Sequence, residues 1–405
     1  MAGTTPGTPR VLRAMNDRAA LDLLLAHGPL SRGRIGKLTG LSKPTASQLL
    51  SRLEAAGLVV VTGTSEGRPG PNAQLYAVNP AAAHVAGLDV TSTRLRAAVA
   101  DITGRTVGTH EVPTPGRRSA GAVPLVLEAV DGAAKAAGVH RGDLQRIVIG
   151  TPGAFDPSTG RLRYASHLPG WHAPTLLDEL AAALPMPLEY DNDVNLVAVA
   201  EQRRGAAGEH EDFVLLWNEE GLGAAVVIGG RLHRGWTGGA GEVGFLPVPG
   251  TPLVRQPAQA NSGGFQELAG ANAVLRLARE LGLSYDPQAE MKDAAAGLLA
   301  RATAEEREKE HAEAYDTLLR RFATGLATGL ASLVAVLDPQ LIVVSGGVLA
   351  AGGEHLLDLV RAELSELAVP RPRLVPGTVT DDPVLSGALE SALATTRDEV
   401  FDTSR

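Results

Sequence analysis

The chain has 405 residues, 44% of them hydrophobic and 20% charged, with no cysteine and a formal net charge of −8. That length supports a core large enough for two or three domains, and the missing cysteines exclude disulfides, thiolate metal sites and cysteine nucleophiles. The first 80 residues hold nine Lys/Arg against four Asp/Glu, an excess of five positive charges that leaves −13 for the remainder, a split suited to a nucleic-acid-binding head on an acidic body.

The opening MAGTTPGTPR is small and polar, has no charged-plus-apolar leader, and is expected to be a loose tail to about residue 10. Ile35 and Leu38 then share one face of a short helix, Thr39-Gly40-Leu41 makes a turn, and Ser42 is an N-cap with Pro44 tolerated in the first turn behind it. Ala46, Leu49, Leu50 and Leu53 recur at i, i+3, i+4 and i+7 and form the buried stripe of a second helix. The opposite face carries Thr45, Gln48 and Arg52, flanked by Lys43 and Ser47. With Arg32 and Ser42 these are the candidate DNA contacts, because such side chains bond phosphates and base edges from a helix in the major groove. Gly57 ends the helix and Leu58 to Val61 reads as a strand. The polar run Thr62 to Asn72 reads as a wing that returns through Gln74 to Val78 and sets Arg68 against a minor groove or phosphate. Residues 1–80 are thus expected to be a winged helix-turn-helix whose partner is a double-stranded DNA operator. The alternative, a structural three-helix unit that binds nothing, is disfavoured by the local positive charge.

From His84 the pattern changes to α/β. HVAGLDVTSTRLRAAVADITGRTV reads as strand, turn, strand and a hairpin turn at Asp101 to Gly104, followed by an Ala-rich helix (Ala120 to Ala137) and a buried strand (Arg146 to Gly150). Asp212 to Ile228 repeats the strand-turn-strand, with a Gly-Gly turn at 229 and 230 and a further buried strand at Leu341 to Ser345. Two such units, each followed by helices, predict two α/β lobes facing one another across a cleft. The apolar run Phe322 to Leu337 is too short and too rich in Gly and Ala to span a bilayer and reads as a buried helix. No membrane partner and a cytoplasmic location are expected.

Five motifs in this body, GTPGAFD at 150–156, LPGW at 168–171, DNDVN at 191–195 with Glu201 after it, GGAGEVG at 238–244 and LDPQLIVVSGG ending at Gly347, resemble those of the ROK family of repressors and sugar kinases. The head resembles the winged helix that ROK repressors carry and ROK kinases lack. The resemblance covers about His84 to Ala394 and implies the two-lobed actin-like ATPase fold over 81–405. Lobe I is then about 81–195 plus the C-terminal helix, and lobe II about 196–380.

The resemblance also assigns a sugar site. Asp193 falls at the family's catalytic-base position and is expected to bind sugar, with Asn192 beside it and Glu242 and Glu267 as further ligands. Gly153 in GTPGAFD and His167 before LPGW are counted with them. A ring of hydroxyls both donates and accepts, which carboxylates and amides suit.

The phosphate side departs from the family pattern. Asp89 is followed by Val90, Thr91, Ser92 and Thr93 where ROK kinases have a glycine-rich turn, and the second turn is Glu219-Glu220-Gly221-Leu222-Gly223, two carboxylates that repel a triphosphate. The zinc pattern is lost too: Phe245 stands where the family has a His, Phe265 where it has a Cys, and Val248 to Gly263 holds no replacement cluster. Phe245 either stacks on a pyranose or closes part of the site.

The sequence therefore points to a sugar-responsive transcriptional repressor, a homodimer or homotetramer, with no enzyme activity, cofactor or metal. Sugar between the lobes is expected to favour one closure angle and so set the spacing of two winged helices. The rival readings are an ATP-dependent sugar kinase with a DNA-binding head, and a ligand-independent regulator controlled by a partner.

Overall fold

The computed structural model of the chain describes residues 9–65, 73–114, 121–156, 161–163, 168, 171, 175–219, 221–255, 263–304 and 311–403. In the head, α1 (Pro9–His27) leads through β1 (Leu30–Ser31) to α2 (Arg32–Thr39), α3 (Lys43–Ala55) and the hairpin β2 (Val59–Thr64) and β3 (Gln74–Val78). Gly40 closes α2 in the left-handed conformation at φ 73°, and Ser42 Oγ then accepts the Thr45 N–H at 3.3 Å to start α3. Ala46, Leu49, Leu50 and Leu53 are buried, as their spacing predicts. Leu38 departs from expectation. It is 39% exposed, and Ile35 with Gly36 fills the inner face of α2, since a helix of eight residues turns only one short stripe inward. β1 pairs with β3 through Leu30↔Tyr76 and Ser31↔Leu75. Two residues carry no period, so nothing in the sequence marks that strand. The wing tip with Arg68 lies outside the described residues.

The body continues with β4 (His84–Val90), β5 (Arg94–Asp101), β6 (Thr106–Pro113), α4 (Ala122–Ala137), β7 (Leu144–Thr151), β8 (Ala154–Asp156), β9 (Arg161–Arg163), α5 (Leu176–Ala183), β10 (Leu188–Asn192) and α6 (Asp193–Arg204). Then come β11 (Phe213–Asn218), β12 (Leu222–Ile228), β13 (Arg231–Leu232), α7 (Phe265–Ala269), α8 (Ala271–Glu280), α9 (Met291–Thr303), α10 (Ala312–Leu337), β14 (Leu341–Ser345), α11 (Gly347–Ala351), α12 (Gly353–Leu367), β15 (Arg373–Pro376) and α13 (Pro383–Val400). Two five-stranded sheets result, ordered β10-β7-β4-β5-β6 and β13-β12-β11-β14-β15. Both follow one plan. An antiparallel hairpin, β4/β5 or β11/β12, receives a parallel strand, β7 or β14, along its first strand. Parallel neighbours require long crossovers, which is where α4 and the helices α7 to α10 lie in sequence.

The chain packs as two units, one of Met1–Gly150, Thr175–Tyr190 and Ala388–Arg405, the other of Thr151–Pro174 and Asp191–Gly387. The head belongs to the first because it has no core of its own: Leu21, Leu24, Ile35, Leu50 and Leu53 are buried together with Ile102, from the turn after β5, and Phe401, just beyond α13. Polar contacts follow the same junction. Arg18 bonds Asp398 at 2.8 Å with its guanidinium 5.7 Å over the Phe401 ring, Thr403 Oγ1 donates to the buried Asp17 at 3.0 Å, and Arg397 Nε donates to the Ile102 carbonyl at 2.9 Å. On the other side of α13, the buried Arg146 of β7 donates to Glu399 at 2.7 Å and also to Glu189. The boundary expected at residue 80 is thus one of fold and not of packing. Asn192 and Asp193, expected with lobe I, group with the second unit.

The second unit is centred on α10, whose Phe322, Leu326, Leu330 and Val334 are buried among α7, α8, α9 and α12. At 26 residues α10 is long and apolar enough to cross a membrane, longer than the run read from the sequence, but its apolar stripe is the core of this unit.

Candidate functional site

The candidate sugar residues converge on the start of β12. Asn192 caps α6: its Oδ1 accepts the N–H groups of Val194 (2.9 Å) and Asn195 (3.3 Å), and its Nδ2 donates to the Gly153 carbonyl at 3.0 Å. Both lone pairs and one donor of that amide are therefore taken, and a single N–H remains for a ligand. Gly153 and Asn192 hold one another, and Asp193, half-buried, follows as the first residue of α6. Just upstream, the buried Asp191 accepts from Asn195 Nδ2 (2.8 Å) and the Asn192 N–H (2.9 Å) on one oxygen, and from Arg234 Nη2 (2.6 Å) and Nε (3.1 Å) on the other. Arg234 belongs to no motif, and the sequence reading missed it. Glu201 is structural. Fully buried, it accepts the N–H groups of Thr378, Val379 and Ala206, each at 2.8 Å.

Arg234 opens the loop that carries GGAGEVG. The Ala240 N–H bonds the Arg234 carbonyl at 3.2 Å, and the Gly241 carbonyl accepts the Ala224 N–H of β12 at 2.9 Å. Gly241 adopts φ 97°, and a Cβ there would come within 1.9 Å of the Ala224 carbonyl oxygen, so the loop lies directly on the strand. At the preceding strand residue, Gly223, a Cβ would lie 2.9 Å from Val194 Cγ2 of α6. Asp193 and Glu242 are each one residue away from these contacts with adjacent residues of β12, which sets their two segments along the start of that strand.

Burial pushes the Glu242 carboxyl above the usual carboxylate range, with no hydrogen bond or cation among the described residues to offset it. A sugar hydroxyl donates to the ionised form, so binding should weaken as pH falls through that raised pKa and Glu242 takes up its proton. Calorimetric titration from about pH 8 down to about pH 4, the ordinary glutamate range, checks this, and an affinity flat across the whole window removes Glu242 from the site. The sign for stability is opposite. A raised folded pKa contributes stability that is complete below the unfolded value and is lost as pH rises through the folded one, so Glu242→Gln should raise the Tm of the free protein at neutral pH.

The start of α7 is stitched to the same place. Gln266 Oε1 accepts the Leu222 N–H of β12 at 3.1 Å, and the Phe265 N–H bonds the Leu246 carbonyl at 2.9 Å. Glu267 and Phe245, both half-buried, are thereby set beside β12 as well. Phe265 is fully buried within the core of the second unit. Two hydrocarbon rings at the positions where zinc would need His and Cys do not fit that metal, and among the described residues no group of three or more His, Asp or Glu is placed to hold one.

The first phosphate turn is closed by its own side chains. Thr91 Oγ1 accepts the N–H groups of Thr93 (3.4 Å) and Arg94 (3.1 Å) and donates to the Arg94 carbonyl (3.0 Å), while Arg94 stands 3.8 Å from Asp89. Glu219 of the second turn reaches outside it, and its carboxylate accepts the Gly347 N–H at the start of α11 at 2.5 Å. The Thr93 and Arg94 N–H groups are amides that a glycine-rich turn would leave for phosphate oxygens, and the Glu219 carboxylate adds negative charge that a triphosphate would meet.

On α3, Lys43, Thr45 and Gln48 are exposed and Ser47 half-buried. Arg32 Nη1 donates to Ser47 Oγ at 2.7 Å, and the hydroxyls of Ser42 and Thr45 lie 2.8 Å apart. Arg52 differs from expectation. Its Nη2 is held at 2.6 Å by Asp17 of α1, a buried carboxylate 35 residues away that the helical wheel does not reveal. His167, like Arg68, lies outside the described residues.

A helix-turn-helix head on a body of two like-built sheets defines the class: a winged helix joined to an actin-like α/β fold. The chain belongs to the ROK family, which it matches over residues 85–389, and residues 8–68 match the MarR family. It is 25% identical over 361 residues to a putative xylose repressor of Caldicellulosiruptor sp. (strain Rt8B.4), covering 88% of each chain. A glucokinase of Halalkalibacterium halodurans is 28% identical over 291 residues, 70% of this chain and 86% of its own. Among solved structures, a ROK family transcriptional regulator, a homologue of the E. coli MLC protein, aligns with a TM-score of 0.71 over 97% of this chain and 98% of its own at 18% identity, a likeness of fold.

Proposed function

We propose that the protein is a DNA-binding transcriptional repressor whose operator affinity is altered by a sugar held at Asp193, Glu242 and Glu267, without zinc and without phosphoryl transfer. The observation that carries this reading is a contrast within one body: burial raises the Glu242 carboxyl pKa with no offsetting partner among the described residues, while amides of the first phosphate turn are taken by Thr91 and the Gly347 N–H by Glu219. A fold in that condition holds a sugar without transferring phosphate to it. The relative named as a putative xylose repressor matches along 88% of both chains, which makes aldoses the first ligands to try. Asn192 and Gly153 position Asp193, and Phe245 contributes an apolar wall. Lys43, Thr45, Ser47 and Gln48 face DNA with Arg32 and Ser42 in support, and Arg52 orients α3 through Asp17.

The decisive experiment is an operator titration by the full chain, selected on genomic DNA and repeated with xylose and glucose. A ligand acts only through its different affinity for two states, so an operator affinity that no aldose shifts sinks the sensor reading. In the same assay Lys43→Ala should weaken binding and lower the slope of log affinity against log salt by about one, as loss of one phosphate contact does. An unchanged slope takes Lys43 out of the interface. The kinase reading draws support from the glucokinase relative and is decided by coupled ADP release. No turnover is expected with hexoses or pentoses, and turnover abolished by Asp193→Asn makes the protein an enzyme.

A further inference from the structure

The loop between Arg234 and Glu242 carries a side chain that the sugar reading leaves unused. Its base is fastened at both ends: Arg234 is held on Asp191 at 2.6 Å, the Ala240 N–H returns to the Arg234 carbonyl at 3.2 Å, and Gly241 is bonded to Ala224 of β12 at 2.9 Å. The loop also closes on itself, since a Cβ on Gly235 would lie 3.1 Å from the Ala240 methyl and the Glu242 N–H bonds the Gly239 carbonyl at 3.4 Å. On the outer side of this ring stands Trp236, 90% exposed. The other two tryptophans are not displayed in this way: Trp171 is 4% exposed and Trp217 is half-buried in β11.

We propose that Trp236 is a stacking platform for a second sugar ring, so that the ligand class is a disaccharide or longer glycoside and not a free monosaccharide. The inference rests on the sugar-site reading above. A pyranose presents hydroxyls at its rim and C–H groups on its faces; carboxylates meet the first and an indole face meets the second. The first ring belongs with Glu242, which is half-buried and whose carboxyl is pushed above the usual range by that burial. An indole closing over that same ring would share its burial. Trp236 does not, although it sits only six residues away on a loop fastened beside Glu242. What reaches it is a group projecting from the first ring toward solvent, which a glycosidic bond supplies. Because the loop is tied at its base, little conformational freedom remains to be lost on stacking.

Calorimetry on the full chain with glucose, xylose and N-acetylglucosamine, each against its 1,4-linked dimer, tests this. For at least one pair the dimer should bind about fivefold more tightly than the monomer, within the range of an aromatic stack. Trp236→Ala should bring that ratio to about one, and Trp236→Phe should keep part of it, as a smaller π face does. A ratio unaltered by Trp236→Ala overturns the proposal. So does a change of oligomeric state by light scattering without a change of ratio, which makes Trp236 a subunit contact. Monosaccharide binding with no dimer advantage in the unsubstituted chain overturns the platform and leaves the sugar site standing, whereas binding of no saccharide at all overturns both.

Discussion

Phe401→Ala should lower the free energy of the first unfolding transition by about 3–5 kcal/mol, the usual cost of removing a buried aromatic ring, and the head should be what loosens. Phe401 is 1% exposed and shares the hydrophobic core of α1, α2 and α3 with Ile102 of the body. The void would lie at the junction, flanked by the Arg18–Asp398 bond and by Thr403 on Asp17. Asp17 in turn holds Arg52 of α3 at 2.6 Å, so a loosened C-terminal segment takes away part of what orients the recognition helix. A chain of two packed units need not unfold in one step. The expected record is therefore an early urea transition, protease cleavage between the head and β4 below that transition, and weaker operator binding. A denaturation curve superimposable on that of the unsubstituted chain removes Phe401 from its role as the joint.

Gly241→Ala should abolish most sugar binding, by about tenfold or more, as expected when a site residue is displaced by about 1 Å. Two independent costs act there. An L-residue at φ 97° is strained, and its Cβ would fall 1.9 Å from the Ala224 carbonyl oxygen, so the loop must lift from β12 and carry Glu242 with it. Overpacking of this kind costs about 1–3 kcal/mol. Gly250→Ala is the control. Gly250 has φ 85°, but nothing lies within 4 Å of its would-be Cβ, so it should show the strain alone and retain affinity. Equal losses at both glycines would mean that close approach to β12 is not what places Glu242.

The elements legible in the sequence were those whose signal is local. The stripe Ala46, Leu49, Leu50 and Leu53 appears at its expected spacing, the returning strand of the wing spans Gln74–Val78 and the late buried strand Leu341–Ser345, and the repeated hairpins gave two sheets of one plan. Hidden from the sequence were the features whose partners are far along the chain. Asp17 pairs with Arg52 across 35 residues and with Thr403 across 386, and Arg234 pairs with Asp191 across 43. No window of the sequence contains both members of such pairs. The same reason explains Arg52, read on the open face of a helix and found bonded to Asp17, and the bonds of Asn192 to Val194, Asn195 and Gly153, which leave one N–H of its amide for a ligand. At Thr91 the composition revealed crowding, but only the fold shows its hydroxyl taking the turn's own amides.

The shared core of head and body has a consequence for how operators are searched. A head on a flexible leash samples many half-site spacings, because its effective concentration falls only slowly with distance. Here Ile102 and Phe401 complete the core of the head, so the leash is replaced by a mortise. Were the chain to pair symmetrically, two such heads would behave as the jaws of a caliper, and a half-turn inserted between half-sites would be rejected instead of being reached across. Tolerance to spacing would then return only when the joint is broken.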